Sequence, residues 1–146
     1  MATTHDDEWA EATKGAAPAT LRVLLYSDHV EAREQVLRAL GTTIAADLPP
    51  VEWFEAATAP AVVEAVDAGG FDLLVLDGEA GKVGGMALTR QLKDEIYQCP
   101  PVLLLTGRPQ DAWLAAWSAA DVTVCRPLDP FELQEAVAGL LRGRSA

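Results

Sequence analysis

The sequence predicts one α/β domain with a parallel sheet covered by helices on both faces. Two observations carry this. Five short apolar runs alternate with five stretches of helical period, the pattern of strand-helix crossover units. The runs LLVL and VLLL are apolar at every position, as strands buried on both faces are, and do not alternate as half-exposed strands do. Right-handed crossovers then favour the flavodoxin-like strand order 2-1-3-4-5. At 146 residues, half of them apolar, the chain has the length of one domain and enough apolar surface for a full core.

Residues 1 to 20 are rich in Ala, Thr and acids, lack an apolar period and predict a flexible acidic arm; Trp9 is its one large aromatic. The domain proper, residues 21 to 146, opens with the strand Arg22 to Tyr26, which runs into Ser27 and Asp28. A helix follows from about Val30 to Leu40, with Val30, Val36, Leu37 and Leu40 on one face and Gly41 as its stop. Residues 42 to 50 read as a loop ended by Pro49 and Pro50. VEWFEA, Val51 to Ala56, is a strand of mixed polarity and suits the edge of the sheet. Thr58 and Pro60 open a second helix carrying Val62, Val63 and Val66, closed by Gly69 and Gly70.

The third strand lies in FDLLVLDG, Phe71 to Gly78, and stops on Asp77. A glycine-rich loop, GEAGKVGG, leads to a helix from about Met86 to Tyr97 with Leu88, Leu92 and Ile96 inward. Pro100 and Pro101 precede the fourth strand, Val102 to Thr106, and a helix from Asp111 to Ala120 follows it. The fifth strand, Val122 to Cys125, runs into Arg126 and Pro127. The last helix begins at Asp129 and Pro130, where Asp129 caps and Glu132 completes a capping box. It runs to about Leu141, with Phe131, Val137, Leu140 and Leu141 inward.

In this strand order Asp28, Asp77, Thr106 and Arg126 all follow strands at the carboxyl edge, where open α/β sheets bind ligands. Asp77 is then a candidate nucleophile or metal ligand, or more plainly a loop aspartate capping the next segment. Asp28 and Asp77 are hard oxygen ligands suited to magnesium, which would draw a phosphoryl group toward Asp77. Thr106 can donate to one phosphoryl oxygen and Arg126 can neutralise another.

With RVLLYSD, FDLLVLDGEAGKVGG, VLLLTG and VCRPLDPFEL in place, the chain from about Leu21 to Leu141 resembles a response-regulator receiver domain of bacterial two-component signalling. The resemblance implies that Asp77 accepts phosphate from a histidine kinase or phosphotransfer protein. It implies that Asp28, Asp77 and the backbone carbonyl of Glu79 hold magnesium, and that Thr106 is the switch hydroxyl. It also implies a cis peptide between Arg126 and Pro127.

The chain departs from the family at several positions. Ser27 stands where an acid is usual, which lowers the charge available to magnesium; Arg126 stands for a lysine, keeping the charge but not the compact ammonium. Thr123 replaces the aromatic that swings with the switch threonine, and Gly81 and Lys82 replace a proline and a glycine. His29 is expected in solvent, and the charges of Glu79 and Lys82 at the rim of the crevice. Cys99 and Cys125 lack metal-ligand spacing and read as reduced thiols, Cys125 as a small buried hydrophobe. Trp113 is expected to pack inward and Trp117 to face water. Together they mark the face of the fourth helix, fifth strand and fifth helix as a contact for a target or a second copy.

The net charge of −11, with no dense Lys or Arg run, excludes nucleic acid as an expected partner. No run has the length of a membrane span, and the acidic start is unlike a signal peptide, so the expected location is the cytoplasm. No general base pairs with a nucleophile, so a turnover enzyme is not expected beyond self-phosphorylation and self-dephosphorylation of Asp77. SDHVEAREQ contains no phosphate-binding loop, which argues against a flavin or nucleotide protein of the same topology. The leading expectation is a single-domain regulator signalling through its own surface, since five residues after Leu141 leave no room for an output domain. The alternative is a degenerate receiver that binds partners without phosphorylation.

Overall fold

The computed structural model describes residues 20–80 and 84–145. The expected arm, with Trp9, lies outside the described residues except for Thr20, as do Gly81 and Lys82. In chain order the elements are β1 (Leu21–Tyr26), α1 (Val30–Leu40), β2 (Val51–Ala56), α2 (Ala59–Ala68), β3 (Leu73–Asp77), α3 (Gly85–Glu95) and β4 (Val102–Thr106). A short 3-10 turn (Pro109–Asp111), α4 (Ala112–Ser118), β5 (Val122–Cys125) and α5 (Pro130–Ser145) follow. All strand pairs are parallel, in the order β2-β1-β3-β4-β5 that the sequence predicts.

The inner strands are apolar throughout because helices cover both their faces. Val23, Leu25, Leu73, Val75, Leu103 and Leu105 meet Val36 and Leu40 of α1 and Leu133, Val137 and Leu141 of α5. Leu24, Leu74, Leu76 and Leu104 meet Val62 and Val66 of α2, Leu88 and Leu92 of α3, and Ala115 of α4. Each fully buried leucine contributes about 2 to 3 kcal/mol, so these two layers dominate the stability of the domain. No helix among the described residues is long and apolar enough to cross a membrane. Cys99 and Cys125 are free thiols, both half-buried.

Three side chains differ from expectation, each through helix geometry. Phe131 is exposed to 66 %, whereas Leu133, unremarked in the sequence, is fully buried. Asp129 caps α5 by accepting from the Phe131 N–H at 3.0 Å. From that start the inward positions fall at Leu133, Val137 and Leu141, four apart, and Phe131 lies about 200° away around the axis. Val30 is exposed because it stands about 120° from Val36 on α1. Trp113 is exposed to 69 %, since α4 meets the sheet through the small residues Ala115 and Ser118.

Candidate functional site

Strand register brings the site together. Tyr26 of β1 is level with Leu76 of β3, so the next residues, Ser27 and Asp77, stand side by side and on the same face. Asp77 is level with Leu105 of β4, and Thr106 with Cys125 of β5, so Arg126 lies two residues beyond the level of Asp77 and reaches back. The Arg126 N–H continues the ladder by donating to the Thr106 carbonyl at 2.8 Å. The Arg126–Pro127 peptide is cis, as the resemblance implies.

Asp77 is 2 % exposed, and its carboxylate accepts from three donors. Ser27 Oγ donates to its Oδ2 at 2.9 Å. Glu79 N–H donates to Oδ1 at 3.0 Å, and Arg126 Nη1 donates to the same oxygen at 3.1 Å. Ser27 is itself fixed: its Oγ accepts from His29 N–H at 3.1 Å, and its carbonyl accepts from Arg33 Nη1 at 2.6 Å. Arg33 is held in turn by Glu55 at 3.1 Å. Because an ionised carboxylate only accepts, the hydroxyl proton is directed at Asp77.

Two glycines let the backbones close around this carboxylate. A Cβ at Gly78 would stand 2.6 Å from the Leu105 carbonyl oxygen, which accepts the Gly78 N–H at 2.7 Å. A Cβ at Gly85, in the first turn of α3, would collide with the Asp77 carbonyl oxygen. Gly78 after Asp77 and Gly85 at the start of α3 therefore bring helix and strand into contact at the site.

Of the sequence-predicted residues, Asp77 and Arg126 meet directly, and Glu79 joins them through its N–H, not through the expected carbonyl. Thr106 is buried at the end of β4 and joins them through its carbonyl. Asp28 is exposed, with His29 Nε2 at 3.6 Å. The Glu79 side chain lies against Gly107, where a Cβ would strike its carboxylate. Thr123 is exposed on β5. Burial raises the pKa of the Tyr26 phenol above the ordinary 10.0, and the charges of Asp28 and then Asp77 raise it further. The donor role of Ser27 and the bracing by Arg33 had no signature in the sequence except that both strands end at one level.

The arrangement does not fit a magnesium ion. Magnesium needs several hard oxygen lone pairs converging on one point. Of the expected ligands Asp28, Asp77 and the Glu79 carbonyl, Asp77 turns its lone pairs to donors from Ser27, Glu79 and Arg126.

Away from this edge, α4 presents Trp113 and Trp117, the latter exposed to 50 %. The Arg90 guanidinium of α3 lies 5.8 Å from the centroid of the Trp117 ring and donates to the Trp117 carbonyl at 3.2 Å. Trp117 is thus braced, while Trp113 stands free of the core.

No protein-family model matches the chain. Uncharacterized response regulatory proteins from two strains of Mycobacterium tuberculosis are each 53 % identical to it over 122 residues, which is 84 % of this chain and 92 % of theirs. The signal receiver domain of a signal transduction histidine kinase from Syntrophus aciditrophicus has a TM-score of 0.70 at 23 % identity, covering 84 % of this chain and 90 % of that one. A Thermotoga maritima response regulator in complex with Mg2+–BeF has a TM-score of 0.68 at 24 % identity, covering 83 % and 99 %. At these identities the two structures share the fold.

Proposed function

The chain belongs to the response-regulator receiver family of two-component signalling, and from that premise we propose that Asp77 accepts a phosphoryl group. Receivers are signalling proteins and not classical enzymes, so the donor's chemistry is spent on a state of the receiver. One observation carries the reading: a carboxylate 2 % exposed at the sheet's carboxyl edge, with a guanidinium 3.1 Å from it. A carboxylate oxygen of Asp77 attacks phosphorus in line, and the bond from phosphorus to the donor breaks. Its electron pair leaves on the imidazole nitrogen of a phosphohistidine or on the carboxylate of an acyl phosphate. Arg126 then moves its N–H groups from Oδ1 to the new phosphoryl oxygens, and Thr106 donates to another.

The partners on this reading are a histidine kinase or phosphotransfer protein upstream and a protein target on the face of α4, β5 and α5. Trp113 is the anchor of that face, since a large exposed ring beside a braced one suits a protein contact better than solvent. Intact-mass analysis after incubation with acetyl phosphate tests the reading: an adduct on wild type and none on Asp77→Asn supports it, and no adduct under any condition removes it. The second reading, a receiver that binds partners unphosphorylated, is favoured by the Ser27 hydroxyl standing 2.9 Å from Asp77 where the family carries an acid.

A further inference from the structure

We propose that Ser27 and Arg126 together take the place of a divalent cation at Asp77, so that this carboxylate is compensated, and accepts its phosphoryl group, without bound metal. The observation is one of polarity. A cation site presents lone pairs to a common point, whereas both Asp77 oxygens here face protons: Oδ2 that of Ser27, Oδ1 those of Glu79 N–H and Arg126 Nη1. Ser27 is anchored on the other side, where its Oγ accepts the His29 N–H at 3.1 Å and its carbonyl accepts from Arg33 at 2.6 Å.

Arg126 brings its positive charge to 3.1 Å from Asp77 Oδ1. The guanidinium is permanently charged, weakly hydrated and planar, so it can meet two phosphoryl oxygens at once without the dehydration that magnesium resists. During transfer it stays protonated and only exchanges hydrogen-bond acceptors, from the Asp77 carboxylate to the phosphoryl oxygens. The phosphoryl step rests on the function proposed above; the occupation of the cation's place by Ser27 and Arg126 does not.

Two measurements separate these. Calorimetric titration of MgCl2 into the full chain is expected to show no saturable binding up to about 10 mM for wild type. Ser27→Asp, which adds a carboxylate, and Arg126→Met, which frees Oδ1, are each expected to bind at least about tenfold more tightly. Either variant suffices if the other fails to fold. Wild-type affinity equal to that of the folded variants overturns the proposal, and so does failure of both folded variants to bind. In the second measurement, acetyl phosphate in EDTA is expected to leave a phosphoryl mass on wild type within about twofold of the amount in magnesium. An adduct that requires magnesium overturns the proposal. Absence of an adduct in both buffers overturns the phosphoacceptor reading and, with it, the metal-free transfer, while calorimetry still decides what occupies the cation's place.

Discussion

Ser27 Oγ lies 2.9 Å from Asp77 Oδ2 and donates to it, although 50 residues separate the two in the chain. A serine there is more than a missing acid: it reverses the sense of the contact, giving a proton where a carboxylate would repel.

Removing that donor leaves a buried carboxylate short of a partner. Hydrogen bonds to charged groups contribute about 1.5 to 3 kcal/mol, and Ser27→Ala at this buried position is expected to lower the unfolding free energy by about that much. Ser27→Thr, which keeps the hydroxyl and suits a strand end, is expected to retain most of it. Urea denaturation of the variants checks both.

The Arg126–Asp77 pair, 3.1 Å apart with Asp77 deeply buried, predicts strong coupling. Arg126→Met strands the carboxylate and is expected to cost about 2 to 3 kcal/mol, and Asp77→Asn removes the charge that needed the arginine. The double variant is then more stable than the sum of the single losses implies, by at least about 1 kcal/mol in a double-mutant cycle. Additive losses would show that the pair is not coupled in solution.

Two glycines in helices predict opposite signs. Gly85→Ala drives a methyl into the Asp77 carbonyl, and is expected to cost about 1 to 3 kcal/mol and to reduce adduct formation on Asp77. Gly139→Ala, in α5 with nothing within 4 Å of its Cβ position, is expected to gain about 0.5 to 1 kcal/mol. Thermal melts of the two variants provide the comparison.

The raised Tyr26 pKa predicts a loss of stability in alkali. Below pH 10.0 the phenol is protonated in both folded and unfolded chains, and its contribution is fully present. Above that value the unfolded chain releases the proton while the folded chain holds it, so stability falls as pH rises through the folded pKa. Tyr26→Phe is expected to flatten this decline, measured as urea midpoints across the alkaline range.

The exposed Trp113 ring predicts a change in partner binding without a change in stability. Trp113→Ala is expected to shift unfolding by no more than about 0.5 kcal/mol, because the ring lies outside the core. It is expected to weaken capture of a protein target by at least about tenfold. Gel filtration of wild type and Trp117→Ala tests whether the same face joins two copies.

Strand order, the buried inner strands and the position of Asp77 were legible because each depends on short runs of residue type. Helix faces were less legible. The last helix starts at Pro130 as expected, yet Phe131 points outward and Leu133 inward, and Trp113 followed Ala115 and Ser118 rather than its own hydrophobicity. Side-chain size does not say which face a short helix presents when small residues make the contact.

The sequence by itself determined a doubly wound parallel sheet and which polar residues follow its strands, since apolar period and turn residues act locally. Only the tertiary structure decided that Ser27 donates to Asp77, that Arg126 reaches back to the same carboxylate, and that Asp28 lies beside His29. The reason is that hydrogen-bond direction depends on what else holds each group. For Ser27 that is the local His29 amide and Arg33 guanidinium together with the register of β1 against β3, and this last the order of residues alone does not set.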